Sequence, residues 1–533
     1  MNQLIVPSLL PPKEREEYER KQKNKRIFAL PITSPKKNLK PKLKPVLKKS
    51  LSHPIIKIEP NADLVWSDSY QNSLSLLKID ESKGIPEQIL GPSGRDRELI
   101  LGLDFGTSCV KVVIGDRGAS KAYAVPFIDS VGINSYLLPS RIFEENSIFS
   151  ISQGTDAHRD LKLRFLADSA SPNLQIILVA FIALIIRRCR AWLYETHTDI
   201  LTKRNILWKI VIGRAVDRLK EDKVSKIMAE IVNAAWAVAG CTELVNRETC
   251  NRELVLHREN KAIRSDFLEV SVIPELAAQI YGFVKSRQFD SRAKNFYLFI
   301  DVGAGTVDVS LFRVKSNEFG SWDFSLFTSV VEPNGAMNLH RARLDWWHQE
   351  FSKTPNNICN RLIEKISFIK LSTEQTQPIP EKYFDYFKGI KMNISDGGFN
   401  PDEIFYKNRL IPQVRGQGIH KTVQSNIVGR IDLENLPFFL CGGGSRLPLY
   451  QKISSALNNA SDFKWLKAHR RDLGIPSELD APGLAQIDYD RLSVAFGLSF
   501  VDVGTVVAAQ AMPRIKQRST ADWRSSYTNK DVC

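Results

Sequence analysis

Two segments of this chain repeat one pattern: an apolar run, an aspartate, a short polar turn that contains glycine, and a second apolar run. The first copy spans residues 99–114 and the second spans 296–314. Short apolar runs bounded by turn residues are typical of buried strands, so each copy predicts a β-hairpin. Helical patterns separate the two copies along the chain. The repeat therefore favours an α/β fold with a duplicated core.

The basic character of the chain is concentrated at its N-terminal end. The 533 residues carry a formal net charge of +15, and residues 1–60 hold 15 Lys and Arg against 5 Asp and Glu, which is +10. Seven lysines and no acid lie within 36–49, interrupted by prolines. Such a segment cannot bury a core, so we predict a disordered basic tail over 1–60. It fits either a solvated tether or a docking segment for an acidic partner, nucleic acid included. Residues 61–97, polar and rich in turn residues, are predicted to be a linker.

The remaining bulk features predict a cytoplasmic protein. The most apolar stretch, 174–186, is about 13 residues long, which is too short for the roughly 20 that cross a bilayer. It is expected to form a buried helix, and we predict no membrane span. The odd count of seven cysteines favours reduced thiols, and no Cys/His cluster has zinc-ligand spacing.

The turns of the two predicted hairpins have the composition of a phosphate-binding loop. Each begins with an aspartate, Asp104 or Asp301, which can hold a hydrated Mg²⁺. Glycine allows close approach of the backbone, and successive N–H groups can cradle an anion. The candidates for phosphate contact are Gly106, Thr107, Ser108, Gly303, Ala304, Gly305 and Thr306. Either turn alone also fits an ordinary tight turn, but two of them facing each other would clamp a triphosphate and its metal.

Three motifs in order resemble the actin-like ATPase and sugar-kinase superfamily. Residues 101–108 resemble its first phosphate motif and 301–308 its second. Residues 441–448 resemble its adenosine motif in the form typical of heat-shock-70-type chaperones. The segments 138–141, 272–282 and 490–497 are also similar to chaperone sequences. The resemblance covers about residues 98–508.

This resemblance implies a two-lobed actin-like ATPase fold with duplicated β-hairpin phosphate loops. The implied divisions are lobe I at 98–296, lobe II at 297–489 with an inserted subdomain at about 335–436, a helix at 490–512 that crosses back to lobe I, and a C-terminal tail at 513–533.

The resemblance also implies a role for each site residue. Asp104 and Asp301 would hold Mg²⁺, and Lys162 would face the transferred phosphate. Glu275 and Asp308 would orient or deprotonate the attacking water. The adenosine motif would be formed by Gly442, Gly443, Gly444, Ser445 and Arg446, with the arginine stacked on adenine. Three alternatives stay open: a solvated helix charge for Lys162, a structural ion pair for Asp308, and a surface salt bridge for Arg446.

The sequence departs from the chaperone pattern at three places. Ile273 stands where those proteins have the glutamate of their connecting helix, and Glu275 follows two positions later. Ala304 replaces the middle glycine of the second phosphate loop. Phe368 and Ile369 occupy the positions of the basic pair near adenine. Phosphate binding is therefore better supported by the sequence than adenine recognition.

The implied function is that of a chaperone-like molecular switch that binds and hydrolyses ATP with Mg²⁺. The resemblance includes no β-rich substrate-binding domain, so the switch would act through a separate partner or client protein. One alternative is a filament-forming bacterial actin homologue. A small-molecule kinase is less favoured, since only 101–111 supports it.

Overall fold

A computed structural model of the protein describes most of the chain that follows residue 54. Contacts divide the chain into Met1–Ser52 and His53–Cys533, and every described residue belongs to the second unit. The described residues are 55–65, 75–88, 95–201, 204–214, 221–242, 244–262, 268–284, 289–290, 293–316, 322–371, 379–393, 400–424, 428–459 and 464–500. The predicted tails therefore lie outside the described residues, except for 55–60.

The described chain is a mixed α/β structure with several sheets. The strands are β1 Ile55–Leu64, β2 Asp96–Phe105, β3 Cys109–Asp116, β4 Lys121–Ala124, β5 Leu138–Pro139, β6 Ile142–Glu145, β7 Ile148–Ser150, β8 Asp156–His158, β9 Asn205–Arg214, β10 Leu268–Pro274, β11 Phe296–Val302, β12 Val307–Ser316, β13 Trp322–Glu332, β14 Phe387–Asn393, β15 Pro437–Cys441, β16 His469–Arg471 and β17 Leu479–Asp480. The helices are α1 Leu161–Ala167, α2 Pro172–Thr196, α3 Thr198–Leu201, α4 Glu221–Ala239, α5 Arg247–Arg258, α6 Glu275–Val284, α7 Ala336–Ser352, α8 Asn357–Leu371, α9 Pro401–Phe405, α10 Lys421–Gln424, α11 Pro448–Asn458 and α12 Ser493–Phe500, with π-helical turns at Tyr406–Leu410 and Pro412–His420.

The first large sheet is built around the first predicted hairpin. Strand β2 pairs antiparallel with β3, and β3 pairs antiparallel with β4. On the other side of β2, strands β9 and β10 run parallel to it. Alternating branched residues of β2 and β3 enter the core, where they meet the buried helix α2. The hairpin prediction for 99–114 is confirmed.

The second large sheet repeats this arrangement around the second hairpin. Strands β11, β12 and β13 form an antiparallel meander, and β15 and β16 run parallel to β11. The hairpin prediction for 296–314 is confirmed as well. Each sheet therefore contains a three-stranded antiparallel meander. Two further strands, parallel to the first strand of the meander, extend the sheet on the other side of that strand. Strand β17, which lies within 297–489, pairs with β4 and so belongs to the first sheet.

The apolar stretch at 174–186 forms the centre of helix α2. Every residue from Leu174 to Tyr194 is buried, in a core shared with the first sheet and helix α4. Among the described residues, no helix is long and apolar enough to span a membrane.

A separate small core corrects the predicted extent of the N-terminal tail. Strand β1 pairs antiparallel with β14, and its residues Ala62 and Leu64 are buried beside Trp347 of helix α7. Residues 55–60 are therefore part of the folded protein, because their alternating isoleucines pack on this core. The expected subdomain at 335–436 includes β14 and α7, and the N-terminal strand completes it.

Residues 75–88, in the middle of the predicted linker, are held by hydrogen bonds to the rest of the fold. The backbone carbonyl of Glu87 accepts hydrogen bonds from Tyr194 and Trp208, and its carboxylate accepts one from the Trp236 indole at 2.6 Å. Gln88 exchanges two hydrogen bonds with the backbone of Ile206. Residues 75–88 therefore pack on the first sheet and its helices instead of forming a loose connection.

Candidate functional site

The two hairpin turns lie against each other. A Cβ placed on Gly305 in the second turn would lie 3.3 Å from Thr107 in the first turn and 3.2 Å from Leu163 of helix α1. The start of helix α7 is hydrogen-bonded to the second turn: the N–H groups of Ala336 and Met337 donate to the carbonyls of Gly303 and Ala304. The fold thus brings both predicted phosphate loops to one place.

Two ion pairs lie beside the turns. The ammonium of Lys162, at the start of α1, donates to Glu275 Oε1 at 2.6 Å, with 13% and 19% of the two side chains exposed. Lys111 on β3 donates to Asp104 Oδ2 at 2.8 Å. These two residues are also direct cross-strand partners in the first hairpin. Lys162 is therefore ion-paired at the loops, in contrast to the alternative of a solvated helix charge.

The charge of Lys162 is maintained by surrounding carboxylates. Burial lowers the pKa of Lys162, but Glu275 and Asp104 outweigh that effect, and the net pKa lies above its ordinary value. Asp308 acts in the same direction. The side chain is consequently a cation at neutral pH, directed at the place where the two hairpins meet.

The second hairpin carries two carboxylates with raised pKa values. Asp301 and Asp308 are cross-strand partners. Burial, followed by the charge of Asp308, raises the pKa of Asp301 to about 8. Burial, followed by the charge of Glu275, raises the pKa of Asp308 to about 6, while Lys162 opposes this rise. Asp308 Oδ1 is buried and, within the described part of the chain, has no hydrogen-bond partner.

The position of Glu275 follows from its place at the junction of β10 and α6. It is the first residue of that helix, and its Cγ would lie 2.7 Å from a Cβ on Gly213 of the neighbouring strand β9. Only a residue without a side chain at Gly213 leaves this space for the glutamate. The sequence predicted Glu275 near the attacking water, and the structure places it beside Lys162 and close enough to Asp308 to raise the pKa of Asp308.

The third motif begins beside Asp301. Gly442 has φ +84°, and a Cβ there would collide with Asp301 Oδ1, so this position requires glycine. The N–H of Gly442 donates to Asp490 Oδ2 at 2.8 Å. Arg446 donates to both oxygens of the same carboxylate at 2.6 and 2.5 Å and also to the carbonyl of Ile487. The guanidinium of Arg446 is therefore held by an ion pair with Asp490. This matches the salt bridge that the sequence left open as the alternative for Arg446.

Three residues of this arrangement were missed as candidates. Lys111 is cross-strand from Asp104, and its spacing seven residues later mirrors the spacing of Asp308 from Asp301. Asp490 holds the third motif. The guanidinium of Arg491 lies 3.6 Å from a Cβ built on Gly443. The hairpin repeat contained a signal for Lys111. The other two residues lie in the segment 490–497 that resembles chaperone sequences, but only the fold reveals their contacts with the third motif.

Some expected contacts fall outside what the structure describes. The side chains at Phe368, Ile369 and Lys370 are not described, so the site expected near adenine cannot be built from them. Across the described ranges, no three His, Cys, Asp or Glu side chains converge in a way that would enclose a metal ion.

No protein-family model matches the chain, and no curated protein sequence matches it.

Proposed function

We propose that this protein binds ATP with Mg²⁺ between its two hairpin turns, hydrolyses it, and has the two-lobed actin-like ATPase fold. The observation that carries the proposal is the meeting of two Asp-x-Gly hairpins around one group of carboxylates and lysines. A single such turn has ordinary structural uses. Two that converge with charged groups of both signs provide donors for phosphates and ligands for the metal that accompanies them.

The repeated strand order of the two sheets supports the proposed fold. Each meander places its Asp-containing turn at the end of its first strand, so two copies packed face to face bring both turns to one cleft. A shared core lies between them, with Val113 of the first sheet near Phe299 and Phe439 of the second. Duplicated halves of this kind leave a ligand site at their junction.

The carboxylates fit a hydrated Mg²⁺. Asp301 and Asp308 are adjacent, and Asp308 Oδ1 is buried without a partner among the described residues. A divalent cation would provide the missing opposite charge and bring both carboxyls to their ionised form. Mg²⁺ commonly keeps several waters and uses one or two carboxylates plus phosphates, so it needs no cage of three protein ligands. Asp104 and Asp301 would contact its water shell.

The arrangement of Asp308, Glu275 and Lys162 supports a role in preparing water for attack. Asp308 would accept a proton, and its pKa of about 6 is suited to neutral pH. Glu275 orients Lys162 through the 2.6 Å hydrogen bond. The ammonium of Lys162 would offset the negative charge that develops on the phosphoryl oxygens.

The link from the third motif to helix α12 supports a switch function. Asp490 binds the loop at Gly442 and Arg446, and α12 begins three residues later and packs against β2 and α6. A nucleotide-dependent shift of the third motif would therefore be transmitted to the first sheet. Such a two-state change is what a partner protein reads in a chaperone-like switch.

Single-turnover hydrolysis of ATP tests the proposal. We expect hydrolysis by the full chain, slowed at least about 100-fold by Asp104→Asn or by Asp301→Asn, since each removes a charge serving the metal. Asp156→Asn, an exposed change on β8, is the matched control and should hydrolyse ATP normally. Normal rates in both loop variants would contradict the two-hairpin site. A pull-down in ATP and in ADP would then test the separate partner.

A further inference from the structure

Helix α1 belongs to the half of the molecule built on the first sheet but also contacts the half built on the second. Its residues Leu161 and Phe165 are buried in the core of the first sheet. Leu163 meets the second hairpin turn, where a Cβ on Gly305 would lie 3.2 Å from its side chain. The proposed mechanism requires Lys162 of this helix at the turns, so the contacts that hold α1 against the second half bear on hydrolysis.

The residue that precedes α1 faces a cation of the second half. Asp160 has φ +53°, in the left-handed region that aspartate is one of the few residues to tolerate. A carboxylate at this position commonly accepts hydrogen bonds from the first turn of its own helix, but within the described residues Asp160 makes no such bond. Its Oδ2 instead lies 4.0 Å from Nη2 of Arg341 on α7. Helix α7 is anchored in the other core, where Ala336 and Leu339 are buried.

A side chain of α7 connects this contact to the second turn. Asn338 donates from Nδ2 to the carbonyl of Gly305 at 2.6 Å, and its Oδ1 accepts a hydrogen bond from Nη1 of Arg341 at 3.5 Å. The N–H of Gly335 donates to the same carbonyl at 3.3 Å. Because the C=O and N–H of a trans peptide point in opposite directions, these bonds turn the N–H of Thr306 away from α7. The amide of Asn338 therefore holds both the second turn and the arginine that reaches α1.

We propose that Asp160, Arg341 and Asn338 form a clasp between the two halves, which positions Lys162 of α1 against the second turn. This inference rests on the proposed ATP-binding function. The three members of the clasp are positioning residues, since they act through Lys162 and the turn. The side chains of Arg341 and Asp160 are 33% and 25% exposed, so their ion pair adds little to stability. Its loss should instead displace Lys162, and a misplacement of about 1 Å can slow a reaction about 100-fold.

Single-turnover hydrolysis of ATP by the full chain measures this positioning. We expect Arg341→Met to slow hydrolysis about 10-fold, with a smaller effect on the affinity for ATP and an unchanged Tm. Arg341→Lys, which retains the cation, should keep most of the wild-type rate. Arg117→Met is the matched control and should hydrolyse ATP normally. Arg117 has a similar exposure, 29%, and its ion pair with Glu98 at 3.5 Å lies wholly within the first half.

A double-mutant cycle tests whether the clasp acts as one unit. Asp160→Asn removes the charge but keeps a residue that tolerates the left-handed conformation, and it should also slow hydrolysis about 10-fold. The combination of Asp160→Asn with Arg341→Met should remain about 10-fold slower than the wild type, whereas independent residues would give about 100-fold. Asn338→Leu, which removes the donor to Gly305, should likewise show less than the product of effects when combined with Arg341→Met.

Each adverse result has a distinct meaning. A wild-type rate of hydrolysis in Arg341→Met would overturn the clasp and leave the two-hairpin site intact. Equal losses in Arg341→Met and Arg341→Lys, or multiplicative effects in the cycle, would show that the ion pair with Asp160 does not position α1. A fall in Tm that accompanies the slower hydrolysis would assign Arg341 to folding, which overturns the inference as well. Failure of the wild-type chain to hydrolyse ATP would overturn the proposed function and this inference together.

Discussion

Replacement of Glu275 by glutamine tests the charge arrangement of the site most sharply. The change removes one negative charge but retains the size and one hydrogen-bond acceptor of the side chain. Lys162 would lose the closest of its carboxylates, whose oxygen lies at 2.6 Å, while Asp104 and Asp308 remain near it. Breaking a fully buried ion pair costs about 3–5 kcal/mol. Because 13% and 19% of these side chains are exposed and two other carboxylates remain, we expect Glu275→Gln to lower the free energy of unfolding by about 2 kcal/mol.

The assay is a double-mutant cycle on single-turnover ATP hydrolysis with Glu275→Gln and Lys162→Met. Glu275→Gln should slow hydrolysis about 100-fold, with a smaller effect on the affinity for ATP. The double variant should be far faster than the product of the two single effects predicts, because both residues act as one unit. Each 1.4 kcal/mol of interaction energy between the two residues corresponds to about a tenfold departure from that product.

The control is Glu269→Gln on β10, which removes a carboxylate that also pairs with a lysine, Lys209, at 2.7 Å. That glutamate is 63% exposed, so its loss should leave hydrolysis unchanged. Strict additivity of Glu275→Gln and Lys162→Met would refute the account of the ion pair. Normal hydrolysis in Glu275→Gln would leave Asp308 as the sole candidate for the base.

Three further predictions concern the pH dependence of stability, the third motif and the N-terminal strand. Asp301→Asn should raise the Tm of the nucleotide-free protein at pH 8. Between pH 4 and 8 the carboxyl of Asp301 is ionised in the unfolded chain but keeps its proton in the folded protein. The stability of the wild type therefore falls as the pH rises through this range. A thermal scan from pH 5 to 8 checks this, and parallel curves for variant and wild type would contradict it. Gly442→Ala should lower ATP affinity at least about 10-fold, because its methyl group collides with Asp301 and its φ is +84°; equilibrium titration measures the change, and unaltered affinity would contradict the geometry. Deletion of 1–54 should leave the Tm unchanged but weaken salt-sensitive binding to acidic partners, whereas deletion of 1–65 should lower the Tm by removing β1; equal Tm values for the two deletions would count against the pairing of β1 with β14.

The sequence predicted those features that depend on neighbouring residues. Both hairpins follow from runs of branched apolar residues around a turn, and the buried helix α2 follows from the length of its apolar stretch. Local composition predicted too long a disordered segment at the N-terminal end. Residues 55–60 follow a lysine-rich segment, and their strand pairing depends on β14, more than 300 residues later.

Contacts between distant residues account for what the sequence missed in the site. Lys162 and Glu275 lie 113 positions apart, and Arg446 and Asp490 lie 44 apart. The sequence identified Lys162, Glu275 and Arg446 as candidates but not the ion pairs that they form. Nothing local in the sequence indicated that Asp490 accepts hydrogen bonds from both terminal nitrogens of Arg446.

The most direct test of the central claim is the binding of ATP to the full chain, with and without Mg²⁺, in the wild type and in Gly305→Val. The two hairpin turns lie against each other at Gly305, where a larger side chain would press on Thr107 and Leu163. Isothermal titration should give one ATP per wild-type chain, tighter with Mg²⁺ than with EDTA, and a loss of binding in the folded Gly305→Val variant. Absence of binding in the wild type, or equal affinity in the two proteins with and without Mg²⁺, would contradict the two-hairpin site.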